Sequence, residues 1–355
     1  MNAEIFAEWL CRQGHRVLRT ASSYWYDAGP RVYQAFPYHW LIQPSARELR
    51  ELLMGKGAVA LRYSTPLNAT NGKVSYHVVL ERCTPYNLET LRAQARNGVR
   101  RGLAYCRIER IPVEQLAVEG WLLQQDTLDR QGRRRSMSQA EWQRICLAAK
   151  DLPGFEAWGA IVEGELAASV LTARIDDVYC VPYAQSLSKY LNKHVNNALF
   201  YTFSRELLSR PGVNMIFYGL HSLDAPESVD EFKFRMSISP NPVRQRVVLS
   251  PVLMPVRNRA GHAVVDRLLE RYPDNPSLAK AEGMLRFYLQ GKRPIDRQDW
   301  PECLTDRREE LVQSLSQANS STDRSSSAEP KAQTLAQGQV PDSNKLNSPL
   351  VKRSS

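Results

Sequence analysis

The chain has 355 residues, 43% of them hydrophobic, enough for one large domain or two medium ones. No apolar run approaches a membrane span, and residues 1–16 mix acids with apolar residues and lack a secretory core. The net charge of +10 favours an anionic partner or substrate: nucleic acid, a nucleotide-linked acyl group, an acidic carrier protein or a membrane surface. Cys11, Cys83, Cys106, Cys146, Cys180 and Cys303 have neither disulfide nor metal spacing, and the histidines do not cluster, so reduced thiols and no zinc are expected.

Residues 4–13 read as a short helix with Ile5, Phe6 and Trp9 on one side. Residues 22–42 are dense in aromatics and broken by Gly29-Pro30 and Pro37. Two readings stay open there: a sheet edge covering the core, or a stacking wall for a flat or sugar-like ligand. Ser45 and Glu48 form a capping-box pattern opening the helix that Gly55 and Gly57 end. Strands follow at 58–64 and 74–81, with Pro66 and Asn71-Gly72 between them. Asn87 is placed to cap an Arg-rich helix, on which Arg92, Arg96 and Arg100 share a face. That face suits solvent, or a rail for phosphates.

A helix over 113–130 leads to the basic loop Arg133-Arg134-Arg135. Ser138 and Glu141 make a second capping box, for a helix ending near Asp151 to Gly154. Strands at 155–163 and 165–175 are joined by a Gly164-centred hairpin, and a third at 178–186 must be irregular at Pro182. Leu199, Phe203 and Leu207 mark an amphipathic helix over 195–210, opened by Asn196-Asn197 and stopped by Pro211-Gly212. The apolar run Met215 to Tyr218 is a buried strand. Its polar loop, His221-Ser222-Leu223-Asp224, precedes a short helix with Phe232, Lys233 and Phe234. A last strand lies at 243–249, helices at 255–273 and 277–291, and a Ser-, Gln- and Asn-rich tail from about residue 313 is expected to be disordered.

A polar loop at the end of a buried strand is held still enough for chemistry. His221, Asp224, Asp230 and Glu231 are candidate bases, with Asp224 and His221 nearest the strand, and Lys233 offers a fixed positive charge. The start of the helix at Asn196 and Asn197, with Lys189, Lys193 and His194 before it, is a candidate anion site. Each residue has an ordinary reading as a cap, a loop-fixing group or a solvated charge.

The order strand, helix with Asn196-Asn197, strand, polar loop, Glu231-Phe232-Lys233 resembles the C-terminal half of a Fem-type GNAT acyltransferase. These tandem-GNAT proteins include the peptidoglycan-bridge aminoacyltransferases. Phe232-Lys233, with Arg235 beyond, matches the family's Phe-Lys or Tyr-Lys pair, and the basic helix at 87–105, ending in Arg100-Arg101, matches the close of its first half. The resemblance covers roughly residues 60–250. It implies an α/β (α+β) fold of two tandem GNAT-like domains with mixed sheets flanked by helices, at 1–110 and 111–255, before a helical extension at 256–312 and the tail at 313–355. It also implies direct transfer of an acyl or aminoacyl group to an amine, on a cell-envelope or exopolysaccharide precursor. Lys233, Asp224 and His221 would be catalytic, and Phe232, Arg235, Tyr218, Asn196, Asn197, Arg100 and Arg101 would bind substrate.

The chain departs from GNAT proteins that use acetyl-CoA, which carry a Gly-rich pyrophosphate loop before this helix. Here the segment is SLSKYLNKHVNN, without glycine. The expected donor is therefore an acyl carrier protein or an aminoacyl-tRNA rather than acyl-CoA, with no tightly bound cofactor, in the cytoplasm or at the inner membrane surface. The competing expectations are a non-catalytic nucleic-acid-binding module, resting on Arg92, Arg96, Arg100, Arg101 and the 133–135 loop, and a scaffold on a degenerate GNAT fold, resting on the absent glycine loop.

Overall fold

The computed structural model describes residues 3–82, 85–132, 137–223 and 230–326, with side chains as far as residue 317. Cys83, Arg133 to Arg135 and Asp224 lie outside the described residues. Residues 1–312 form one compact unit; residues 313–355 form a second, described only to the end of a helix, Arg308–Ser326. Over residues 313–326 that helix stands where disorder was expected; residues 327–355 of the expected tail lie outside the described residues. Glu309 and Glu310 sit in the first turn of the helix, where its dipole favours them, and Leu311, Val312 and Leu315 continue it.

The first unit is built on one mixed sheet of eleven strands. Its first part comprises β1 (Val17–Arg19), β2 (Tyr24–Gly29), β3 (Val32–Phe36), β4 (Ala60–Thr65) and β5 (Lys73–Glu81). Its second comprises β6 (Arg107–Ile111), β7 (Phe155–Val162), β8 (Glu165–Ile175), β9 (Val178–Ser186), β10 (Met215–Leu220) and β11 (Ser239–Leu249). The spatial order is β1-β2-β3-β4-β11-β5-β10-β9-β8-β7-β6. Leaving aside the edge strand β6, this order reads the same from both ends. Three antiparallel strands lead into a parallel fourth in each half: β1-β2-β3 into β4, and β7-β8-β9 into β10. The last strand of each half then crosses over, β11 pairing with β4 and β5 with β10. The fold is α/β, and its two halves repeat one plan on a single continuous sheet, as the twin-domain expectation required.

Helices α1 (Ala3–Arg12), α2 (Ala46–Arg50), α3 (Ala93–Tyr105), α4 (Val113–Arg130), α5 (Gln139–Ala148) and α6 (Val195–Ser209) cover the sheet. On one face, Val99 of α3 and Leu199, Phe203 and Leu207 of α6 pack over Val74, Tyr76 and Ile216. On the other, Phe6 and Trp9 of α1, Leu116 of α4 and Trp142 of α5 pack over Leu171 and Phe217. Burial on both faces gives β8 its near-continuous apolar run. The hairpin between β7 and β8 turns on Glu163 and Gly164, both at positive φ (51° and 85°), the geometry a two-residue loop requires. Ser138 and Glu141 complete their capping box, whereas Glu48 turns its carboxylate to Ser22 and leaves Ser45 a one-sided cap.

Two helix starts differ from expectation. Asn87 does not cap α3: its side chain accepts from the backbone N–H groups of Glu89 and Thr90 at 2.8 and 3.1 Å, closing a turn of its own, and Arg92 is the N-cap. Asn196 and Asn197 lie inside α6, whose N-cap is His194 at a left-handed φ of 60°. The aromatic stretch at 22–42 becomes β2, β3 and their turn, with Trp25 and Phe36 fully buried, as the sheet-edge reading requires.

After β11 come α8 (Arg259–Arg271) and α9 (Pro276–Gln290), preceded by the five-residue α7 (Glu231–Arg235) between β10 and β11. Phe287 and Leu285 of α9 pack on Val247 and Leu249 of β11. Among the described residues no helix is long and apolar enough to cross a membrane, and no cluster of His, Cys, Asp and Glu could hold a metal ion.

Candidate active site

β9 and β10 run parallel for three residue pairs, Val178–Met215, Tyr179–Ile216 and Cys180–Phe217, and then part. Both strands carry the cause in their sequence. Pro182 has no N–H to give, and β9 bulges there, with Val181 and Pro182 opposite Thr172 of β8. In β10 the register against β5 shifts between Phe217 and Gly219, and Gly219 has φ +146°. The wedge between the strands is a cavity of about 620 Å³. Along it, among the described residues, β9 beyond Cys180 has no strand partner on the side that faces β10.

One wall comes from β5, the loop after β10, and α7. Lys233 Nζ lies 2.7 Å from Asp230 Oδ1, and Tyr76 donates its hydroxyl to Asp230 Oδ2 at 3.0 Å. The pair is half-sheltered: the Lys233 side chain is 21% exposed and that of Asp230 10%. A helix as short as α7 has little stability of its own. Aromatics fix it: the Phe232 ring stands edge-on to Phe200 at 5.2 Å, and Phe234 to Tyr76 at 5.9 Å. Ordering of Lys233 is thus a property of the aromatic cluster.

His221 lies deeper. Its ring stacks on Tyr76 at 4.6 Å, and its Nδ1 faces Ser75 Oγ at 3.2 Å. Its carbonyl accepts from Arg62 Nη2 at 3.0 Å and Gln245 Nε2 at 3.1 Å. Burial, helped by the charges of Lys73, Arg62 and Arg286, pushes its pKa down to about 3. The imidazole is neutral at neutral pH and a weak base.

The opposite wall comes from α4, β9 and the start of α6. Ser186 Oγ accepts from Arg130 Nη2 at 3.2 Å and Asn196 Nδ2 at 3.1 Å. Asp126, 3.5 Å from Arg130, accepts the backbone N–H of Ser188 at 2.9 Å. That contact seats a carboxylate on the glycine-free turn between β9 and α6. Gln185 is buried; its Oε1 accepts from Ser169 at 2.9 Å, while its amide nitrogen has no hydrogen-bond partner among the described residues.

Of the residues singled out in the sequence, Lys233, His221, Phe232, Tyr218 and Asn196 all line this cavity. Tyr218 stacks on Phe200 at 5.7 Å and shares a hydrogen bond with Ser204. Asn197 does not line it; its Nδ2 lies 3.3 Å from Met236 Sδ, on the side of α6 that faces α3. Arg235 is exposed at the end of α7, and Arg100 and Arg101 are exposed on α3, away from the cavity. Arg62, Tyr76, Thr127, Arg130 and Gln185 also line it and had not been anticipated. Arg62, a charge within the buried strand β4, was the clearest available signal.

No family model matches the chain, and no curated protein does. Several solved structures are similar to it. FemX aligns over 70% of this chain and 92% of its own, with 10% identity and a TM-score of 0.49. L-PGS from Bacillus licheniformis covers 70% and 91%, with 12% identity and a TM-score of 0.45. A tandem GNAT protein from the clavulanic acid biosynthesis pathway covers 66% and 81%, with 12% identity and a TM-score of 0.39.

Proposed function

We propose that the wedge between β9 and β10 transfers an acyl or aminoacyl group from an activated donor to an amine by direct attack. One observation carries this reading: an unpaired strand edge opens into a cavity whose far wall holds the Asp230–Lys233 pair. An extended acyl chain with amide groups can lie along that edge like an added strand. Its carbonyl then sits between the edge and Lys233.

The steps need no covalent enzyme intermediate. The neutral amine attacks the carbonyl carbon, the C–N bond forms and the carbonyl oxygen becomes an oxyanion. Lys233, and the unpartnered amide of Gln185, supply donors for that charge. Asp230 takes the proton that the nitrogen must lose, and the leaving group departs with its electron pair and then a proton. Most of the acceleration comes from holding two substrates in one cleft. His221, neutral and held by Ser75, shapes the wall and carries the carbonyl that fixes Arg62. The catalytic roles first given to His221 and Asp224 thus pass, in this reading, to Asp230 beside Lys233.

Asp126 of α4, whose carboxylate holds the turn before α6, disfavours a pyrophosphate there, so the reading extends to an aminoacyl-tRNA or acyl carrier protein as donor, and to an envelope or exopolysaccharide precursor as acceptor. The test is a transfer assay with these donors, comparing the parent chain with Lys233→Met and Asp230→Asn. Each variant should lose about 100-fold in kcat/KM, near 2.7 kcal/mol of transition-state stabilisation, while remaining folded. Unchanged turnover in both would overturn the assignment.

A further inference from the structure

We propose that the segment from Pro251 to Tyr272, the turn after β11 and α8, binds the surface of a bilayer containing anionic lipid. The observation is an ordered stretch of chain that leaves its apolar side chains uncovered. After β11 a short turn presents Val252 (77% exposed), Met254 (59%) and Val256 (49%). α8 follows with Val264 (56%), Leu268 (41%) and, at its end, Tyr272 (52%). The stretch is tied down at both ends of the turn: Ser250 donates its N–H to Val59 O at 2.9 Å, and Asn258 caps α8 by accepting from Gly261 N at 2.8 Å.

The layout of α8 separates three faces. Val265 packs into the cluster of Met284 and Phe287, and His262 meets Glu282 at 3.0 Å, so this side rests on α9. Val264, Leu268 and Tyr272, four residues apart, form a stripe beside it. Arg267 and Arg271 flank the stripe, while Asp266 and Glu270 fall on the opposite side of the helix. Arg257 and Arg259 stand at its start, and among the described residues none of the four arginines has a carboxylate partner.

A nucleic acid would answer the arginines but not the apolar stripe. An anionic bilayer answers both: the apolar side chains enter the headgroup boundary, and the arginines reach the lipid phosphates along their alkyl stems. The helix that carries α8, α9, also meets the loop after β10: Arg286 donates to Leu223 O at 2.6 Å and Phe287 lies 5.9 Å from the His221 ring. Lipid binding by this surface stands independently of the transfer reading, since it needs no turnover.

The experiment is flotation of the full chain with vesicles of phosphatidylcholine alone or with phosphatidylglycerol. The parent should float with the anionic vesicles only, and less as salt is raised. The double variants Val264→Asp/Leu268→Asp and Val252→Ser/Met254→Ser should each bind at least about tenfold less, and Arg267→Glu/Arg271→Glu severalfold less, with unchanged melting temperature because every site is exposed. The proposal fails if the parent floats with neither vesicle or if the variants float as the parent does. It fails equally if sedimentation without lipid shows a dimer that the same variants dissociate, which would make the face a contact between copies.

Discussion

The molecule contains the same backbone device twice, and the two copies have different fates. β3 and β4 run parallel for three pairs, Val32–Ala60, Tyr33–Leu61 and Gln34–Arg62, and part, as β9 and β10 do. In the first half the chain closes the gap itself. After Phe36-Pro37 it turns, Trp40 N donating to Pro37 O at 3.0 Å, and Ile42 N then takes Ser64 O at 2.9 Å, the place of the lost strand. Trp25, edge-on to Tyr63 at 5.7 Å, packs the space behind with Ile42 and Leu49. In the second half no segment returns among the described residues, and the edge faces a cavity with a charged wall. The comparison shows that splayed strands make only an opportunity. Whether a wedge becomes core or cleft depends on the nine residues or so that follow the third strand, aromatic in one half and polar in the other.

Exchanging one tryptophan between the wedges should separate the two roles. Trp25→Ala removes a fully buried ring and its hydrogen bond to Thr20 (2.9 Å), and should cost about 3–5 kcal/mol in denaturant unfolding. Transfer activity should fall only as the folded fraction does. Ala184→Trp does the converse, adding a ring at an exposed position that lines the open wedge. It should change stability by less than about 1 kcal/mol and lower kcat/KM by about 100-fold. If Ala184→Trp leaves transfer intact, the β9 edge is not the donor track.

The buried histidines sharpen the comparison through pH. His77 of β5 meets Ser64 of the closed wedge at 2.8 Å and stands edge-on to Phe217 of the open one at 5.1 Å. Burial, with His39 and Arg62 nearby, pushes its pKa down to about 3; His39 is likewise lowered to about 4 by burial. The folded state therefore binds fewer protons than the unfolded chain between its own pKa and the ordinary value of about 6.5. The stabilisation is complete above that value and is lost as pH falls through this window. His77→Gln should reduce the slope of unfolding free energy against pH by up to about 1.4 kcal/mol per unit between pH 6 and 4. An unchanged slope would mean that His77 is reached by water.

Much of this was legible in the residues because it is local. Periodicity placed α4, α6, β5 and β8 within a residue or two, and the polar loop after Tyr218 reaches the cavity through His221 and Ser222. Asp230 and Lys233 are three residues apart, so their meeting on one turn of helix was readable. What was hidden is nonlocal. Nothing near Tyr76 announces that it will hold Asp230, 154 residues on, or that β11 will cross between β4 and β5. Asn196 and Asn197 look alike in sequence, but successive helical positions face different ways: one reaches Ser186 at the cavity and the other Met236. The cap of α6 was misassigned because His194 takes a left-handed conformation usually given to glycine or asparagine.

The smallest expected effect concerns what keeps the wedge open. Gly219 and Gly164 both sit at positive φ (+146° and +85°), and a methyl group at either would meet no atom within 4 Å. Replacing each with alanine therefore tests backbone strain without a clash, at a cost of about 1 kcal/mol or somewhat more. The two sites differ in what the strain can do. Gly164 lies in a surface hairpin, so Gly164→Ala should lower the melting temperature by a few degrees and leave KM alone. Gly219 marks the point where β10 turns away from β9, so Gly219→Ala should relieve its strain partly by straightening β10 and narrowing the cleft. A similar loss of stability should then come with a KM for the donor raised severalfold and kcat nearly unchanged. Equal KM values in the two variants would place the origin of the opening in β9, at Pro182, alone.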